Sequence, residues 1–194
     1  MFVSVFAHVN ERGFTEMSQK IAVLGIGNVL IGDDAFGPYA VNSFAAAYDV
    51  HPDVDVLDVG TPGLDLVPHL VGYDTVIIVD TVRSDGEAGD LRFYTKADIL
   101  KYAPKPRLNP HDPGLKDTLL MLDLIGSGPR EVYLIGTIPS EVKTGTGLSP
   151  MVQKTIAPAV VAIAEKLTRL GYRPIPKQQP DEPDIWWERM ATCG

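Results

Sequence analysis

Cysteine is almost missing from this chain: among 194 residues the only thiol is Cys193, next to the last position. One thiol cannot form an intrachain disulfide or a cysteine-based metal site, and its scarcity fits a reducing, cytoplasmic setting. Long apolar runs are missing too, since none approaches the ~20 residues that a bilayer span requires, so no membrane association is expected. Positive charge is in short supply, with 17 Lys and Arg against 25 Asp and Glu for a net charge of -8. Such a balance disfavours nucleic acid, whose phosphates need a Lys/Arg-rich face. The chain also lacks a GxSxG elbow, an HExxH helix motif and a cysteine beside a histidine, so the familiar nucleophile and zinc signatures are unavailable. The apolar opening MFVSVFAHVNERGFTE has neither a basic leader nor a small-residue cleavage pattern and does not read as a signal peptide.

What is present is an alternation of short β-branched runs with longer amphipathic stretches, the βαβ pattern of a parallel sheet covered on both faces. Strands are expected at about residues 21–25, 54–58, 75–80 and 131–138, with LRFYT at 91–95 as an edge or hairpin strand. Helices are expected at about 36–48, 63–71 and 115–124, and a long one opens at Ser149-Pro150 and runs to about Leu170 with a kink at Pro158. The four prolines of KYAPKPRLNPHDPG predict an irregular loop. The expectation is a single α/β domain, a mostly parallel twisted sheet with helices on both faces, over residues 20–172. A flexible extension (1–19) precedes it. A mostly extended tail (173–194) follows, whose Trp186-Trp187 pair should dock on the body of the chain.

Three polar residues fall where β-runs stop or a loop follows: Asp34 after IAVLGIGN, Asp80 closing VIIVD, and His111 in NPHDPG. An open parallel sheet collects such positions at the carboxyl ends of its strands, and two carboxylates with an imidazole describe a metal site with open coordination positions. The bland alternatives are helix capping for Asp33 and Asp34, a local turn contact for Asp80 and an incidental loop position for His111. A dinucleotide reading of GIGNVLIGDDAFG fails. A GxGxxG match from Gly25 needs glycine where Leu30 stands, and Asp33 and Asp34 would repel a pyrophosphate at the helix start. Asp33, Asn109 and Asp112 are candidates for orienting the three ligands. Turns at Gly60-Thr61-Pro62-Gly63, Ile138-Pro139 and Gly145-Thr146-Gly147 would shape a rim that an extended peptide backbone can approach.

Five segments in order, IAVLGIGNVLIGDDAFGPYAV, VGTPGLDL, VIIVD, NPHDPGL and GTIPSEVKTGTGLSP, resemble the hydrogenase maturation endopeptidases, which trim the C-terminus of the nickel-iron hydrogenase large subunit. The resemblance spans about Lys20 to Leu170. It implies that Asp34, Asp80 and His111 contact nickel, that Asp34 and Asp80 take part in catalysis, and that the partner is a large-subunit precursor. The nickel would be supplied by that substrate. Many relatives carry Glu where this chain has Asp34 and glycine where it has Ala35. The alternative function is a non-catalytic chaperone that binds the immature subunit, and a monomer is the expected state.

Overall fold

The computed structural model describes residues 8–9, 15–16, 19–62, 66–102 and 114–191. Five strands build the main sheet: β1 (Ile21–Ile26), β2 (Val54–Gly60), β3 (Thr75–Thr81), β4 (Leu91–Thr95) and β5 (Glu131–Thr137). Their order is β2-β1-β3-β5-β4, parallel throughout except for β4, which runs antiparallel to β5 at one edge. The chain moves from β1 to β2 on one side and then recrosses to β3 on the other. The crevice between the carboxyl ends of β1 and β3 is therefore the topological switch point, where open α/β sheets bind ligands.

Among the described residues seven helices accompany the sheet: α1 (Phe36–Ala47), α2 (Val67–Leu70), α3 (Lys96–Tyr102), α4 (Leu115–Leu124), α5 (Pro150–Gln153), α6 (Ile156–Arg169) and α7 (Trp186–Ala191). Side chains alternate across the sheet with the period of two that pleating imposes. Ile21, Val23, Ile77 and Val79 pack with Phe36 and Phe44 of α1 and with Ile163 and Leu167 of α6. Ala22, Leu24, Val76 and Ile78 pack on the opposite face with Leu70, Ile99, Leu119 and Leu122. Burial on both faces explains the unbroken apolar run of β3. None of the helices among the described residues is long and apolar enough to cross a membrane.

Two expectations need correction. The single kinked helix after Ser149 is two helices, α5 and α6, broken around Lys154 and Thr155. Pro158 has no N–H for the Lys154 carbonyl and its ring would collide with it, so the chain leaves the helix there and restarts with Pro158 in the first turn of α6. Helix α3 was not anticipated either. A reciprocal capping box starts it: Asp98 Oδ2 accepts from Thr95 N at 2.9 Å, and Asp98 N donates to Thr95 Oγ1 at 3.3 Å.

The C-terminal segment is more structured than a mostly extended tail. Ile175–Pro176 pairs antiparallel with Tyr48–Asp49, and α7 places Trp187, 1% exposed, in the core against Tyr39 at 5.2 Å between ring centroids. The expected docking on this chain thus holds for Trp187, while Trp186 stays half exposed. The N-terminal extension and Cys193 lie outside the described residues, apart from the paired His8–Val9 and Thr15–Glu16 and from Gln19, whose backbone bonds the Tyr172 hydroxyl.

Candidate active site

The loop leaving β1 folds back on itself at Gly27. Its φ of 155° and a Cβ position only 1.8 Å from the Asp34 carbonyl oxygen leave room for glycine alone. The turn continues through a 3-10 helix, Gly32–Ala35, into α1 and packs against β3. Gly37, in the first turn of α1, is wedged between the backbones of Ile26 and Val79, so the start of this helix sits on the switch point. Asp34 lies there, 6% exposed, with Oδ2 accepting from Asn28 N at 2.8 Å.

Asp80 follows Val79 directly at the carboxyl end of β3, opposite Gly136 of β5, and is partly exposed. Its Oδ1 accepts from Thr81 N at 2.8 Å, so the local contact anticipated as the bland alternative does form. Asp80 thus stands at the carboxyl end of β3, and Asp34 in the 3-10 turn that packs against that strand. His111, with Asn109 and Asp112, lies outside the described residues. Among the described residues no three His, Cys, Asp or Glu side chains group closely enough to hold a metal ion. His51 stands before β2, at the sheet's amino end, 3.3 Å from Asp53.

Neither Asp33 nor Asp34 caps α1; its N-cap is Ala35, with no side-chain cap bond. Asp33 is fully buried and does not orient Asp34 through its carboxylate. Its Oδ2 accepts from Ser140 N (2.8 Å), Glu141 N (2.8 Å) and Ser149 Oγ (2.9 Å), and its Oδ1 from Ser149 N (2.6 Å). Ser149 in turn caps α5 through Val152 N, as its sequence position before Pro150 predicts. Nothing local marks Asp33 for this task, since its donors are 107 to 116 residues away.

The segment that Asp33 holds is the rim foreseen in Gly145-Thr146-Gly147. Backbone bonds Gly32 N to Gly145 O (2.9 Å), Gly145 N to Leu30 O (2.9 Å) and Asp33 N to Glu141 O (3.0 Å) run beside the carboxylate. Together they enclose one side of a hollow of about 250 Å3 bounded by Gly32, Asp33 and residues of the 141–150 segment. Lys143 on its wall pairs with Glu141 at 2.5 Å, which raises the Lys143 pKa.

Comparisons with known proteins agree with this geometry. Residues 38–166 match the family model described as hydrogenase maturation protease. The hydrogenase 2 maturation protease of Escherichia coli K12 is 31% identical over 159 residues, covering 82% of this chain and 97% of that protein. The hydrogenase expression/formation protein HupD of Bradyrhizobium diazoefficiens is 32% identical over 158 residues, covering 81% and 82%. Among solved structures, the hydrogenase maturating endopeptidase HybD from Escherichia coli superposes with a TM-score of 0.72 at 31% identity, over 81% of this chain and 98% of that one. The [NiFe] hydrogenase maturation protease HycI from Thermococcus kodakarensis does so with a TM-score of 0.62 at 26% identity, over 77% and 93%. A mostly parallel sheet covered on both faces and these likenesses lead to one assignment: the chain belongs to the hydrogenase maturation protease family, whose members are hydrolases of peptide bonds.

Proposed function

We propose that this protein is the endopeptidase that removes the C-terminal extension of a nickel-loaded nickel-iron hydrogenase large-subunit precursor. Asp34, Asp80 and His111 engage the metal that the substrate carries. What supports this reading most directly is membership of this family, together with the packing of the turn that carries Asp34 against β3, the strand that ends at Asp80 and Thr81.

An oxygen, oxygen and imidazole set has modest affinity for free nickel, because it offers no soft thiolate. Selectivity follows from that weakness. A precursor whose own cysteines hold nickel needs only added ligands, so cleavage depends on prior metal insertion and an empty precursor is passed over. The metal supplies polarisation of a water or of the scissile carbonyl. Asp34, buried at the start of α1, accepts the proton of the attacking water as general base, and Asp80 anchors the metal-bearing segment from the end of β3. His111 adds the third donor from its proline-flanked loop.

The test incubates the protein with candidate precursors, with and without nickel, and reads the C-terminal mass. Release of a short peptide from nickel-loaded precursor alone is expected. Equal release without nickel would remove the metal from the recognition step, and tight binding without release would favour the chaperone alternative.

A further inference from the structure

Asp33 is the most deeply buried charged residue of the site, and it serves a surface loop. Every side chain from Ser140 to Thr146 is exposed, yet four donors from Ser140, Glu141 and Ser149 converge on this one carboxylate. An ionised carboxylate is costly to bury unless donors match its oxygens. Closing the core would require only an apolar side chain. The cost is spent instead on fixing an exposed loop to the turn that continues directly into Asp34, along a seam reinforced by the Gly32 and Gly145 backbone bonds. On either side of that seam stand Leu30 and Val142, large apolar residues that are 56% and 43% exposed.

We propose that Asp33 is a positioning residue: it locks the 140–149 loop, and Val142 with it, against the Leu30–Asp34 turn, so that the precursor's C-terminal peptide lies in fixed register with Asp34. The inference rests on the protease reading above and adds to it the surface that meets the peptide. Asp33 touches no substrate, because both of its oxygens are taken by loop donors. It acts through Ser140, Glu141 and Ser149. Asparagine at position 33 has the same shape but turns an NH2 toward donors and removes the charge to which they point.

The experiment compares wild-type protein, Asp33→Asn, Ser149→Ala and Ser149→Thr with each nickel-loaded large-subunit precursor of the source organism. Precursor affinity, KM and kcat for peptide release, and thermal unfolding are measured for each. Ser149→Ala removes a donor but keeps the carboxylate, and it decides the matter if Asp33→Asn does not fold. Affinity should weaken and KM rise about 10-fold, the equilibrium equivalent of one lost charge-assisted hydrogen bond, with kcat per folded molecule near wild type and Ser149→Thr largely rescued. A purely structural residue would lower the folded fraction, and so the apparent kcat, with affinity and KM unmoved; that result overturns the proposal. Wild-type protein that binds precursor without cutting it removes the protease reading and leaves positioning to be decided by the affinity ratio. Wild-type protein that binds no precursor overturns both.

Discussion

Gly37 faces the carbonyl oxygen of Val79 so closely that a Cβ on it would lie 2.4 Å away, with the Ile26 carbonyl oxygen at 2.3 Å on the other side. Backbone oxygens in a central sheet cannot step aside as a flexible side chain can. A methyl group therefore pushes α1 out of the crevice and carries Asp34 away from Asp80. Gly37→Ala should destabilise the fold by roughly 1–3 kcal/mol, as overpacking does, measured from the urea midpoint. It should also reduce precursor processing by more than the loss of folded protein explains.

The carboxylates at the crevice can be separated by chemistry. Asp34→Asn keeps the acceptor that Asn28 N uses, so folding should survive while processing falls by about 100-fold or more, the usual weight of a general base. Asp80→Ala and His111→Ala should likewise fold and fail to process nickel-loaded precursor, whereas Asp34→Glu, which keeps the carboxylate, should process it. Mass spectrometry of the precursor reads all four. Full activity of Asp34→Asn would remove both the base and the charged-ligand roles from that residue.

Tyr73 offers a test in alkali. Its hydroxyl donates to Asp55 at 2.8 Å, and burial first, then that bond, pushes its pKa from 10.0 up to about 12. A raised folded-state value means that the bond's contribution is complete below pH 10 and disappears as pH climbs toward 12. Tyr73→Phe should cost at most about 1 kcal/mol at neutral pH. The gap between the two proteins in denaturant midpoints should close across that alkaline window.

The neighbouring tryptophans should behave oppositely. Trp187 is 1% exposed and Trp186 51% exposed. Trp187→Ala should cost about 3–5 kcal/mol, the range for emptying a large core site, and Trp186→Ala no more than about 0.5 kcal/mol. Thermal unfolding of the two variants checks both figures.

What could be read from the chain beforehand follows the range of the interactions involved. Strand β3 is an unbroken apolar run and helix α4 is periodic, so pattern alone finds them. Helix α3 carried a readable signal in Thr95 and Asp98, but its seven residues stop just short of Pro104 and the prolines dominate the reading. Pro158 marked a disturbance; that it breaks the helix rather than bending it depends on where the Lys154 carbonyl would fall. The strand-end rule places Asp80 correctly at the end of β3, whereas Asp34 lies beyond β1 in the 3-10 turn. Asp33 reads from sequence as a cap or an orienting group; its actual role depends on Ser149, which no local window contains.

The tie between Asp33 and Ser149 also carries a consequence for synthesis. A nascent chain that has already built β1 and α1 holds a carboxylate whose donors, Ser140, Glu141 and Ser149, are synthesised 107 to 116 residues later. Until then the rim cannot close, so a truncated product, however well its first half has folded, would be unable to grip a precursor.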